Sequence, residues 1–156
     1  MEELQEYVLH LPLANEVFFA LVETTAKLVE VSEQVWQSHG LNGARIRVMV
    51  EIMKAGGTLL PSELAQRIGV TKANISLLLI PLERDGFIHR AVHPQDGRMT
   101  LISITEEGKS LLMRHLPENR QRVSERMQAL EAHELKQLLV LVSKLRESAP
   151  RLPEKE

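Results

Sequence analysis

Pro61-Ser62-Glu63-Leu64-Ala65-Gln66-Arg67-Ile68-Gly69-Val70-Thr71-Lys72-Ala73-Asn74-Ile75-Ser76 decides how this chain is read, together with Pro94-Gln95-Asp96-Gly97-Arg98 further along. The first stretch reads as two short helices around a glycine turn. Leu64 and Ile68 fall on the inward face of the first, and Ala65 is small enough for a second helix to cross closely. Gly69 supplies a turn conformation that a branched residue holds only at a cost. Val70 plugs the corner, and Thr71 is placed to accept a backbone N–H at the start of the next helix. In that helix Ile75, Leu78, Leu79 and Leu82 form the inward side. Lys72, Ala73, Asn74, Ser76 and Leu77 are left facing outward near its N-terminus, where a recognition helix meets base edges and phosphates. The bland alternative is the solvated face of an ordinary helix. For Leu77 the choice is between a thymine methyl and simple packing.

A hairpin follows. Phe87 to His93 and Met99 to Ile104 have strand character, and Asp96-Gly97 between them is a tight-turn signal. That puts Arg98 at the tip, where a long cation can reach the narrow, electronegative minor groove beside the helix. Asp96 is positioned two residues earlier to orient its guanidinium. A plain exposed turn arginine is the other reading. Arg67, Arg84 and Arg90 are candidates for phosphate contacts, with a surface ion pair to a nearby acid as the alternative.

Working outward, apolar residues recur at helical spacing from Leu13 to His39, with Gly40 as a left-handed stop. Asn42 is a candidate N-cap for a helix running through Met53 and closed by Gly56-Gly57. Thr105 caps another, with Glu106 and Glu107 at the positive end of its dipole, and Pro117 is expected to kink or break it. A last amphipathic segment carries Leu135, Leu138, Leu139, Val142 and Leu145, and the polar residues 148–156 form a tail. The order is four helices, a hairpin and two helices. The outer helices, 13–39 and 105–147, have little in their own chain to pack on, so their apolar stripes point to a dimer with a second copy.

Composition narrows the field. The 156 residues are 44% hydrophobic and 26% charged, enough for one domain with a real core. Aromatics are only 3%, which favours helix packing over a β-sandwich, and the absence of cysteine removes disulfides, thiolate metal sites and thiol redox sensing. The net charge of −2 argues against a generic nucleic-acid binder, and residues 61–104 carry five cations against four carboxylates. The case for DNA therefore rests on pattern rather than charge. No run is long and apolar enough to span a bilayer, and no export signal is visible, so a cytoplasmic location is expected. The six histidines show no metal-ligand spacing. No phosphate loop, nucleophile elbow or acid–base dyad is present, so no catalytic residue, metal or cofactor is expected, and the chain is not read as an enzyme. Trp36, His39, Met49 and Met53 read first as core, with the wall of an effector pocket as the functional alternative.

These pieces resemble the MarR family of winged helix-turn-helix transcriptional regulators over roughly Leu13 to Leu145. The motifs that carry the resemblance are Glu63-Leu64-Ala65 with Ile68-Gly69-Val70-Thr71, Leu82-Glu83-Arg84-Asp85-Gly86-Phe87-Ile88, Asp96-Gly97-Arg98, and Leu101-Ile102-Ser103-Ile104-Thr105-Glu106-Glu107-Gly108. The resemblance implies a mainly α fold with a small β-hairpin wing. A DNA-binding lobe over 42–104 would be flanked by dimerisation helices in a single 1–156 domain. It also implies a homodimer on a pseudo-palindromic operator of double-stranded DNA, and repression relieved by a small-molecule effector or another signal. Leu77 and Ile80 stand where the family more often has small or polar residues. Pro81 lies inside the recognition helix, Leu60 occupies a usual capping-threonine site, and Glu131 replaces the usual start of the final helix. These departures bear on which operator is read. The alternative reading is a winged-helix module for ligand sensing or protein interaction that does not bind DNA specifically.

Overall fold

Side-chain caps and glycines divide the chain into its elements. In the computed structural model, which describes residues 1–148, the chain opens with α1 (Glu2–Leu9), α2 (Leu13–Ser38) and α3 (Gly43–Lys54). Then come β1 (Thr58–Leu59), α4 (Pro61–Ile68) and α5 (Lys72–Arg84), followed by β2 (Ile88–His93) and β3 (Asp96–Ile104). The helices α6 (Glu106–Met127) and α7 (Ala132–Ser148) complete the described chain. The mainly α fold with its small wing is as expected. Residues 149–156 of the expected tail lie outside the described residues.

The expected caps form. Asn42 Oδ1 accepts the Arg45 N–H at 3.1 Å, Thr71 Oγ1 accepts that of Asn74 at 3.3 Å, and Thr105 Oγ1 accepts that of Gly108 at 3.1 Å. Each satisfies a donor that the first helical turn leaves unpaired. At Glu131 the missing short polar cap is replaced from the other side. The Glu134 carboxylate reaches back to accept the Glu131 N–H at 2.8 Å, one half of a capping box. Leu60 offers no side-chain cap, and Pro61 in the first turn of α4 has no N–H there to satisfy.

Four features differ from expectation. The helix α1 lies upstream of the predicted start at Leu13; it is short and its described side chains are all exposed. Strand β1 has only two residues, too few for any periodicity, and exists through its pairing with β3, Thr58↔Ser103 and Leu59↔Ile102. Pro117 does not break its helix, since α6 continues from Glu106 to Met127. The hairpin turn falls at Pro94-Gln95 rather than Asp96-Gly97, because His93 pairs with Asp96. Proline's fixed φ suits the first central position of a turn. Gly97 does not take the positive φ that an Asp-Gly hairpin turn needs.

The core lies where α3, α4, α5 and the three-stranded sheet (order β1-β3-β2) meet the start of α6. Val48, Ile52, Leu64 and Ile102 are wholly buried in it. Gly69 holds the corner between α4 and α5 in the left-handed conformation, φ +79°, as the turn requires. Gly108 works by size instead: a Cβ there would collide with the Phe87 carbonyl and the Ile104 side chain, so glycine lets α6 start tight against the sheet. The Thr105 hydroxyl fixes the same junction by donating to the Gly86 carbonyl at 2.7 Å. These contacts tie the start of α6 to the turn between α5 and β2 and to the end of β3.

Candidate nucleic-acid interface

The inward register of α5 settles which residues it offers to a partner. Ile75, Leu79 and Leu82 are buried, and Leu78 is half-buried. By elimination Lys72, Ala73, Asn74, Ser76 and Leu77 are all exposed on the opposite side, as is Thr71 at the cap. The first turn of α5 also presents the positive end of the helix dipole, which favours a phosphate. The Ser76 hydroxyl is turned back onto its own helix, donating to the Lys72 carbonyl at 3.2 Å. Leu77 is 69% exposed and Ile80 57%, so neither is packing.

The wing departs from a regular hairpin in a way that frees Arg98. The ladder runs from Ile88↔Ile104 to Val92↔Thr100 and then jumps to His93↔Asp96. Gly97, Arg98 and Met99 therefore bulge from β3 with no partner in β2, and Arg98 is exposed. Asp96 acts on Arg98 through its backbone, not its guanidinium as expected: Asp96 Oδ1 accepts the Arg98 N–H at 3.0 Å. A short polar side chain holding the amide two residues on is a local turn device. Among the described residues Arg98 makes no ion pair. His93 Nδ1 accepts the Gln95 N–H at 3.2 Å and steadies the turn, a role the sequence reading does not assign.

The other arginines divide. Arg90 is engaged by Glu83, Nε to Oε2 2.9 Å, which ties the wing strand β2 to the end of α5. That pair makes Arg90 a brace between the two reading elements rather than a free cation. Nothing in a local sequence window couples Glu83 to Arg90, because the turn between them sets the contact. Arg84 is held by its neighbour Asp85, Nε to Oδ1 2.9 Å, and this hydrogen bond with the adjacent charge raises its pKa.

The four residues considered for an effector pocket divide between core and surface. Trp36 and Met49 are core residues, Trp36 donating its indole N–H to Ser32 Oγ at 2.9 Å. Ser32 in turn donates to Asn119 Oδ1 at 2.7 Å, joining α2 to α6. Met53 is 41% exposed, one turn beyond Met49 and outside the core. His39 is exposed, its Nε2 2.7 Å from Glu118 Oε2 and its ring centred 4.4 Å from that of His115 at a tilt of 44°. The concave site between α2 and α6 is instead an open groove of about 490 Å³, lined by Val31, Val35, Ser38, Glu118, Arg122 and Arg126 among others. None of the four expected residues lines it.

A model of the MarR family matches residues 39–99, from the end of α2 through the wing tip. The HTH-type transcriptional repressor YetL of Bacillus subtilis is 36% identical over 110 residues, 70% of this chain and 66% of that protein. An uncharacterized HTH-type transcriptional regulator of Bacillus cereus is 31% identical over 106 residues, 68% of this chain and 69% of its own length. The chain belongs to the MarR family. It is therefore a transcriptional regulator, as the members of this family are. Its fold agrees with that of a MarR family regulator, Sco3205 from Streptomyces coelicolor, solved in complex with DNA. The two superpose with a TM-score of 0.82 over 90% of this chain and 95% of that one, at 22% identity. No described helix of this MarR family chain is long and apolar enough to cross a membrane.

Proposed function

We propose that this regulator is a repressor that binds a pseudo-palindromic operator as a homodimer in the cytoplasm. The observation that carries the reading is the pairing of an exposed, capped helix start with an exposed arginine that has no ion pair, on elements braced to each other by Arg90 and Glu83. Thr71, Lys72, Ala73, Asn74, Ser76 and Leu77 meet the major groove. Arg98, its backbone fixed by Asp96, reaches the adjacent minor groove. Two-fold symmetry sets the half-sites about one helical turn (~10 bp) apart. The second copy covers the apolar faces of the outer helices, 13–39 and 105–147, and the relative named as a repressor supports the sign of regulation.

A small-molecule effector is part of this reading. The groove between α2 and α6 supports it, because a ligand there touches both outer helices and acts on the spacing of the two lobes. Its wall mixes the charges of Glu118, Arg122, Glu125 and Arg126 with the apolar Val31 and Val35, which suits a ligand with both polar and apolar parts.

Mobility-shift titration with the chain's own promoter region tests the core of the proposal. Saturable, sequence-preferring binding that weakens steeply with salt is expected. Binding that is weak and indifferent to sequence would instead favour a winged-helix module for ligand sensing or protein interaction.

A further inference from the structure

The face of α5 that points most directly away from the lobe is apolar. At about 100° per residue, Ala73, Leu77, Ile80 and Arg84 fall on one line along the helix, opposite the buried Ile75, Leu79 and Leu82. Lys72 and Ser76 flank that line on one side and Asn74 on the other. Leu77 and Ile80 are the two large apolar side chains on it, and both are more than half exposed. Neither contributes to the core, so folding does not explain them.

In the major groove the hydrogen-bond pattern of the bases is read by amides, guanidinium groups and carboxylates. Ala73, Leu77 and Ile80 have no such group. What an aliphatic side chain recognises there is the C5-methyl group of thymine, which stands out from the base edge and gains from losing its water. We propose that Leu77, flanked by Ala73 and Ile80, reads thymine methyl groups in each half-site. The polar side chains beside the stripe then contribute phosphate and edge contacts. This inference rests on the DNA-binding reading of α5 and adds a specificity to it: half-sites with thymine methyls opposite the second turn of the helix.

The test uses the full chain and a fluorescent duplex spanning its footprint in its own promoter region, at one fixed salt concentration. A matched duplex carries deoxyuridine in place of thymidine within the footprint, which keeps base pairing and removes only the methyl. The wild-type protein is expected to bind the deoxyuridine duplex about fourfold more weakly for each contacted methyl. Leu77→Ala, a change at an exposed position, is expected to lose a similar factor on the thymidine duplex and to bind the two duplexes alike. Equal binding of both duplexes by the wild type overturns the inference, as does an undiminished penalty in Leu77→Ala. In either case a retained footprint leaves the DNA-binding reading standing. Failure to prefer any sequence sinks that reading, and this inference with it.

Discussion

Leu64 and Ile102 in the lobe are sealed from water, whereas Leu139, Val140 and Leu141 on α7, no less apolar, are each at least 60% exposed. Among the described residues every buried apolar side chain lies between Val35 and Leu112. Outside that span α7 buries nothing, and α1 and the front of α2 expose Leu4, Tyr7, Leu13 and Phe18. Both regions are built from amphipathic helices of similar composition. The difference is that the lobe folds its helices back on one another and on a sheet, while α2 and α6 pack mainly on each other and α7 buries no residue. The lobe thus completes its core within one chain, and the outer helices present surface that a second copy would complete. Large apolar side chains left exposed in a run, as at Leu139 to Leu141, point to an interaction surface.

The contrast can be broken from either side. Ile102→Ala removes a wholly buried side chain at the centre of the sheet and is expected to cost about 2–5 kcal/mol in urea unfolding. A much smaller loss would mean that the lobe is less closely packed than its burial implies. On the other side, Leu139→Asp with Leu141→Asp is expected to leave lobe helicity intact in circular dichroism while weakening self-association by about 2 kcal/mol or more, read by light scattering. An unchanged dimer mass would leave the exposed face of α7 without its proposed occupant. Outright unfolding would show instead that the lobe is not self-sufficient.

Within the lobe, Arg98→Ala separates reading from folding. Loss of DNA affinity by about 1–3 kcal/mol is expected, with a salt dependence shallower by about one counterion and an unchanged thermal midpoint. The smallest expected effect lies where α2 meets α6, with the His115 ring against that of His39. Burial, then the charges of His39 and Arg114, hold the His115 pKa below its ordinary value of 6.5, with Glu118 opposing. Below that value the unfolded chain takes up a proton that folded His115 resists, so its contribution to stability declines as pH falls through this window. A thermal-denaturation series from pH 7 down to pH 5 is expected to show a shallow decline that His115→Gln flattens.

Much of the lobe is legible because its signals are local. Asn42, Thr71 and Thr105 each satisfy a donor three residues away, and Gly40 and Gly69 end helices through their own backbone conformation. The inward register of α5 follows from helical periodicity in the same way, and with it the exposure of Lys72, Asn74, Ser76 and Leu77. The hairpin turn was less legible because two signals compete within five residues. Pro94 at a turn position prevails over Asp96-Gly97, and the displaced residues form the bulge that carries Arg98.

By itself, then, the sequence determined the capped starts of α3, α5 and α6, the buried face of α5 and the family, because caps, glycines and periodicity act over a few residues. Tertiary structure alone decided the rest. It pairs Arg90 with Glu83 across a turn, adds β1 to the sheet and leaves Met53 outside the core. Each of these depends on where two separate segments meet, and that is fixed by how the whole core packs rather than by any one stretch of chain.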